Sequence, residues 1–323
     1  MKFEMRVFRS LAEIPASMGR TVVAIGNFDG VHLGHAAILA DARQRAKARR
    51  APCLAVTFDP HPVRVLRPEL APRLITPMPQ RLELLARTGI DATLILPFTR
   101  EFSRTPARDF AEQVLARGLR AIEVHEGESF RFGHNAEAGT EDLARFGREL
   151  GFAVFGHRVL AVRGLVASSS EVRRQILAGK MNVARALLGR PFSIESMQER
   201  GRGVGSKLLV PTINLAAYDE LTPASGVYVT RVRVGERWFS AVTNCGVRPT
   251  FGVESYAIES HLLNFEPVET VAGAPVEVCF LKRLREERKF ASPEALKEQI
   301  LRDLTRANRY HALAMRRAVR QSS

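Results

Sequence analysis

Thr21-Val22-Val23-Ala24-Ile25-Gly26-Asn27-Phe28-Asp29-Gly30-Val31-His32-Leu33-Gly34-His35-Ala36-Ala37-Ile38-Leu39 reads as a buried strand, a glycine-rich turn and the opening of a helix. Thr21 to Ile25 form a short apolar run bounded by a glycine, the pattern of a strand covered on both faces. Gly26, Gly30 and Gly34 let the backbone turn tightly, and a helix N-terminus presents unpaired N–H groups and a positive dipole to a phosphate. With Asn27, Phe28 and Asp29 between them, these glycines read as a nucleotide cradle. His32 and His35 are three apart, so on a helix they share a face and both imidazoles reach one phosphate. Donors placed there stabilise the charge that builds on an α-phosphate during in-line displacement.

Outward from this segment, short apolar runs alternate with helical patterns as far as about residue 185. Strands are expected at Thr21–Ile25, Leu54–Phe58, Thr93–Leu96, Ile122–Val124 and Ala153–Val154, with helices near 35–50, 79–88, 106–117 and 140–150. Such alternation predicts an α/β, Rossmann-like fold, a parallel sheet covered by helices. The third helix is expected to have Thr105 as N-cap and Pro106 as its first residue, and to stop at Gly118.

After one helical stretch, Ser170–Leu188, the texture changes. Gly226–Val234 and Arg237–Val242 flank a Gly235-Glu236 turn, and Ala257–Phe265 and Pro275–Leu281 follow, which predicts antiparallel β structure in a small barrel or sandwich. Pro293 opens an amphipathic C-terminal helix. The expected domains are 1–185 and 186–323.

The 323 residues are 46% hydrophobic, enough for two cores, which excludes a disordered chain. The net charge of +14 is spread over both halves, and basic charge alone supplies nonspecific affinity without chemistry, so no specific nucleic acid is expected. Cys53, Cys245 and Cys279 lie far apart without a C-x-x-C partner, which argues against a disulfide framework or zinc knuckle and fits a reducing cytoplasm. No apolar run of about 18 residues is present, so no membrane partner is expected. Nothing in the sequence sets an oligomeric state.

Several further strings bear on identity. Thr57-Phe58-Asp59-Pro60-His61-Pro62 follows the second strand; Gly127-Glu128-Ser129-Phe130-Arg131-Phe132-Gly133 and Ser168-Ser169-Ser170-Glu171-Val172-Arg173 come later. Read singly, His61 is equally a capped turn, Arg131 a surface charge and the serine run a helix N-cap. Together with the H-x-G-H of His32 to His35, they resemble the nucleotidyltransferase half of the bacterial bifunctional riboflavin kinase/FAD synthetase family. The second half resembles that family's kinase: Pro211-Thr212-Ile213-Asn214, Asn244-Cys245-Gly246-Val247-Arg248-Pro249-Thr250-Phe251, Glu259-Ser260-His261 and Leu284-Arg285-Glu286-Glu287-Arg288-Lys289-Phe290 stand in the family's order.

The resemblance implies adenylyl transfer from ATP to FMN in the first half and ATP-dependent phosphorylation of riboflavin in a β-barrel with a C-terminal helix. It implies that Gly26, Asn27, Phe28, Asp29, Gly30, Gly34, Ser168, Ser169, Ser170 and Arg173 bind ATP, and that His61, Pro62, Ser129, Phe130, Arg131 and Phe132 hold the flavin. In the second half it implies Gly203, Gly205 and Lys207 on phosphates, Thr212 and Asn214 on Mg²⁺, Glu259 as base and Arg285 on flavin. The chain departs from the pattern at Ser129, Ser196, Ser206, Leu209 and Asn264. At the phosphate loop two readings stand: Arg200, Arg202 and Lys207 supply the missing charge, or the kinase half is non-catalytic. The rivals are a nucleotidyltransferase with another acceptor and a non-catalytic nucleotide or RNA binder.

Overall fold

The computed structural model describes residues 5–199, 212–250, 253–263 and 273–322. The chain divides into two compact units, Met1–Ser169 and Ser170–Ser323.

In the first unit the strands are β1 (Arg6–Phe8), β2 (Thr21–Ile25), β3 (Cys53–Asp59), β4 (Ala92–Pro97), β5 (Ala121–Gly127) and β6 (Ala153–His157). They pair in parallel in the order β1-β4-β3-β2-β5-β6. Val23 and Ile25 of β2 enter one core with Leu54, Val56 and Leu94, whereas Val22 and Ala24 enter the other with Leu39, Ala42 and Leu85. Alternate side chains leave opposite faces of a strand, so both faces are buried and every residue of β2 had to be apolar or small. The layers are α1 (Leu33–Arg49), α2 (Pro62–Leu66), α3 (Met78–Ala86), α4 (Ala107–Asp109, continuing as a π-helix over Phe110–Gly118) and α5 (Thr140–Leu150). A two-stranded hairpin, β7 (Ala161–Val162) and β8 (Leu165–Val166), follows.

The expected Rossmann-like class is the observed one, with local corrections. Strand β1 was not anticipated, because three residues are too few for a periodicity. The cap of α4 is Pro106, not Thr105, and the Ala107 N–H donates to Glu137 Oε1 at 2.6 Å. A carboxylate thirty residues away therefore does what a local hydroxyl was expected to do.

In the second unit the expected single helix Ser170–Leu188 is two, α6 (Ser169–Leu177) and α7 (Met181–Leu188). Gly179 between them has φ +70, and a Cβ there would lie 2.8 Å from Arg283 Cδ. The break is thus set by a glycine conformation and a close approach from the barrel wall.

That wall comprises β9 (Phe192–Glu199), β10 (Thr212–Leu215), β11 (Gly226–Val234), β12 (Arg237–Thr250), β13 (Val253–Leu262) and β14 (Pro275–Arg285). They close an antiparallel barrel in the order β10-β13-β12-β11-β14-β9. The Gly235-Glu236 turn stands where expected, while β9 and β10 were not foreseen. Helix α8 (Pro293–Ser322) docks Ala307, with Leu304 and Tyr310, on Val227, Val229 and Val242. Cys53, Cys245 and Cys279 are free thiols, and burial pushes all three further toward the protonated, unreactive form.

Candidate active sites

The chain leaves β2 at the centre of the sheet, where strand order runs to β3 on one side and β5 on the other. That switch point is where open α/β sheets leave a crevice. The loop 26–32 that fills it is strained: Phe28 has φ +48 and Val31 φ +37, beside Gly30 at +84. Buried groups hold it there. The Asp29 carboxylate accepts from the N–H of Ile75 at 3.1 Å, the N–H of Thr76 at 3.0 Å and the Thr76 hydroxyl at 3.3 Å. Arg81, on α3 and 1% exposed, donates to the carbonyls of Asn27 at 3.0 Å and Thr76 at 3.2 Å and lies 3.7 Å from Asp29. The Gly30 N–H donates to Thr76 Oγ1 at 2.8 Å, and Ser169 Oγ donates to the Asp29 carbonyl at 2.9 Å. Asp29 thereby shapes the loop from beneath.

His32 is the N-cap of α1, just outside the helix, and its Nδ1 accepts from the His35 N–H at 3.3 Å. An accepting Nδ1 leaves the ring proton on Nε2, so His32 offers one N–H donor. The His35 ring stacks on it at 3.6 Å between centroids, and Phe28 meets His35 edge-on at 5.2 Å. Burial, then the neighbouring His32 and Arg81, hold the His35 pKa well below the ordinary histidine value, so it is a neutral donor. His35 Nδ1 is buried without a hydrogen-bond partner among the described residues. A Cβ on Gly34 would come within 2.8 Å of the Ala167 carbonyl oxygen, so only glycine fits between the two histidines.

A cleft of about 1120 Å³ opens above this loop, outside the C-terminal ends of β2 to β5. Gly26, Asn27, Phe28, His35, Pro62, Ser129, Phe130, Arg131, Phe132 and Ser169 all line it. One wall is aromatic: Phe58, Phe98, Phe102, Phe110, Phe132 and Phe130 follow one another with centroids 5.4–6.2 Å apart. Arg67, Arg100 and Arg104 add positive charge to its lining. His61 caps α2, its Nδ1 accepting from the Val63 N–H at 3.3 Å. Ser168 directly precedes α6, while Ser170 and Arg173 lie on α6 in the second unit.

In the barrel, pairing builds a polar row. Asn214 on β10 stands opposite Glu259 on β13, which stands opposite Asn244 on β12. One step along, Thr212 pairs with His261, and Thr212 Oγ1 lies 3.1 Å from His261 Nδ1. Ile213 and Ser260 between these rows are buried, so Thr212, Asn214, Glu259 and His261 share the opposite face. Arg285 is engaged on α8: its Nε donates to Asp303 Oδ2 at 2.8 Å. Gly203, Gly205 and Lys207 lie outside the described residues, as do Arg200, Arg202, Ser206, Leu209 and Asn264.

A family model described as FAD synthetase matches residues 14–171, and one described as riboflavin kinase matches residues 188–311. A bifunctional riboflavin kinase/FMN adenylyltransferase of Escherichia coli (strain K12) is 33% identical over 90% of this chain and 93% of its own length. One from Pseudomonas fluorescens is 34% identical, over 94% of this chain and 97% of its own. The chain belongs to the bifunctional riboflavin kinase/FMN adenylyltransferase family.

A solved chain described as a macrolide-efflux protein from Streptococcus pneumoniae also shares the architecture, with TM-score 0.82, 27% identity and coverage of 93% of this chain and 97% of that one. Among the described residues no helix is long and apolar enough to cross a membrane.

Sequence reading missed several residues that shape the adenylyltransferase-like unit. Arg81 reads as an ordinary helix charge, and only its position under the loop makes it a strut. Phe98, Phe102 and Arg100 follow β4, and the rule that ligands collect at strand C-termini was the signal that marked them. Glu126, fully buried on β5, was also missed; burial pushes it up to about 7, a little offset by the Thr140 hydroxyl. A carboxyl whose pKa rises on folding contributes most stability below its unfolded value near 4.5 and loses it as pH rises through 7. Glu126→Gln is therefore expected to gain on the order of 2–3 kcal/mol at about pH 8 and nothing at about pH 4. Urea unfolding at the two pH values checks it; equal stabilities at pH 8 would refute it.

Proposed function

We propose that this chain makes FAD from riboflavin in two ATP-dependent steps. Residues 186–323 phosphorylate riboflavin to FMN, and residues 1–185 transfer the adenylyl group of ATP to FMN. The observation that carries the reading is the cleft above the loop 26–32, with the neutral His35 imidazole at one side and phenylalanines at the other. A planar flavin suits the aromatic wall, and a triphosphate suits Gly26, Gly30, Gly34 and the N-terminus of α1. Ser168, Ser169, Ser170 and Arg173 are assigned to the phosphates, and His61, Pro62, Ser129 and Arg131 to the FMN side.

In the adenylyl step an FMN phosphate oxygen attacks the α-phosphorus. The new O–P bond forms as the bond to the β-phosphate oxygen breaks, and pyrophosphate leaves. His35, with His32 stacked beneath it, donates N–H bonds to the α-phosphate oxygens as their charge grows. Since His35 is a neutral donor, it does not need to change protonation state.

In the kinase step Glu259 accepts the proton of the ribityl 5′-hydroxyl as its oxygen attacks the γ-phosphorus and ADP leaves. The Thr212 hydroxyl and the Asn214 amide oxygen, two apart on one face of β10, are hard donors that fit Mg²⁺. Bound there, Mg²⁺ neutralises triphosphate charge. By resemblance, Gly203, Gly205 and Lys207 complete the phosphate loop and Arg285 the flavin side. We place the enzyme in the cytoplasm, where ATP and free thiols coexist.

The test is one Mg²⁺/ATP reaction with unlabelled riboflavin and isotope-labelled FMN, read by mass spectrometry. Labelled FAD together with new unlabelled FMN is the expected result. Labelled FAD alone would leave the barrel without its kinase step, and neither product would overturn both assignments. Glu259→Gln is expected to cut riboflavin phosphorylation roughly a thousandfold while labelled FMN is still adenylylated. An unchanged rate would remove Glu259 as the base.

A further inference from the structure

The first unit carries a second cluster of chemistry-bearing side chains on the α1 side of the sheet, outside the proposed adenylyl-transfer residues. His125 on β5, His157 at the end of β6 and Asp41 on α1 point at one another. His125 Nδ1 lies 3.0 Å from His157 Nε2, His125 Nδ1 lies 3.5 Å from Asp41 Oδ2, and His157 Nε2 lies 3.8 Å from the same oxygen. Two of these separations are too long for hydrogen bonds, so the carboxylate does not close on either ring. The point equidistant from the three atoms lies about 2.0 Å from each, the length of a zinc–nitrogen or zinc–oxygen bond.

We propose that Asp41, His125 and His157 form a binding site for one divalent first-row transition ion of the zinc class, which ties α1 to β5 and β6.

The surroundings suit such a site. With Nδ1 on the metal, His125 keeps its proton on Nε2, which faces Glu123 Oε2 at 3.7 Å. Glu123 is a buried carboxylate anchored by Arg45 at 2.7 Å and Arg49 at 2.8 Å, which sets a negative charge near that nitrogen without a hydrogen bond to it. Phe155 stacks on the His125 ring at 5.0 Å, and the Arg45 guanidinium covers Phe155 at 3.6 Å, so the ring cannot turn freely. Asp41 is 43% exposed and His157 21%, which leaves the ion a path from solvent and room for water as a fourth ligand. Two imidazoles and one carboxylate select zinc, cobalt or nickel over Mg²⁺, which prefers oxygen. The site is therefore distinct in kind from the Mg²⁺ of the proposed reactions.

The experiment is titration of the chelator-stripped full-length protein with Co²⁺ alone, read by its visible ligand-field bands, followed by displacement with Zn²⁺. Wild type is compared with Asp41→Ala and His157→Ala, both partly exposed positions, with circular dichroism confirming the fold. One Co²⁺ per chain is expected, displaced by Zn²⁺, with affinity falling at least roughly a hundredfold in each variant. Saturating Zn²⁺ should raise the wild-type Tm by roughly 5 °C and leave both variants unmoved. Two results overturn the proposal: no Co²⁺ or Zn²⁺ bound below about 100 μM, a weakness foreign to protein zinc sites, or bands and affinity unchanged in both variants. The second would place the ion elsewhere, with His32 and His35 the pair to replace next.

Discussion

Replacing His32 and His35 together by alanine is expected to abolish FMN adenylylation and to leave riboflavin phosphorylation at the wild-type rate. Each preorganised donor to a developing oxyanion is worth roughly a hundredfold or more, so losing both should cost on the order of 10⁴ in kcat. The effect on folding should be small by comparison. His32 caps α1, and a lost cap costs about 1 kcal/mol, while half-buried His35 leaves a space that solvent can reach. The single variants should differ. His35→Ala removes the imidazole that lines the cleft, whereas His32→Ala removes the ring stacked beneath it together with the helix cap. Labelled FMN and unlabelled riboflavin in one reaction separate the two activities. Full FAD output from the double variant would withdraw both histidines from the chemistry.

Arg81→Met should be the most damaging single substitution among the residues that shape the loop without lining the cleft. Its guanidinium bridges two backbone carbonyls and lies beside a carboxylate that is itself 1% exposed. Methionine fills the volume of the side-chain stem, yet strands those groups away from water. Breaking a buried ion pair from one side costs about 3–5 kcal/mol, because the remaining charge loses its counter-ion and keeps only its hydrogen bonds. At roughly 2–4 °C per kcal/mol, the first unit should melt about 10 °C lower. The strained conformations at Phe28 and Val31 persist only while their surroundings hold them, so adenylylation should fall at least roughly tenfold in the variant that remains folded. Arg81→Lys should recover little, since an ammonium cannot present a planar fork to two carbonyls. Asp29→Asn combined with Arg81→Met should be more stable than Arg81→Met alone, because no buried carboxylate is then left without its counter-ion. Denaturant melts of the three variants test this, and an Arg81→Met protein within about 0.5 kcal/mol of wild type would refute the strut.

Local patterning carried much of this molecule. The run Thr21–Ile25, the glycines after it and the apolar start of α1 specify strand, tight turn and helix through periods and dihedral preferences that act within a few residues. The Gly235-Glu236 turn and the amphipathic stretch after Pro293 are legible for the same reason. The H-x-G-H string and the motifs that follow it marked the family, since each is a contiguous run of residues that can be read without the fold.

Tertiary structure decided the rest. Whether Asp29 faces a ligand or props the loop depends on Ile75, Thr76 and Arg81, which only folding brings beneath it. Ser170–Leu188 breaks at Gly179 because the barrel wall approaches there. The row Asn214–Glu259–Asn244 is a matter of strand register, and a slip of one residue would turn Glu259 to the other face. Asp41, His125 and His157 are unremarkable in their own segments; α1, β5 and β6 make them neighbours. Short-range preferences choose the elements, but pairing, register and burial between distant segments choose which side chains meet, and reactive or metal-binding sites are made by such meetings.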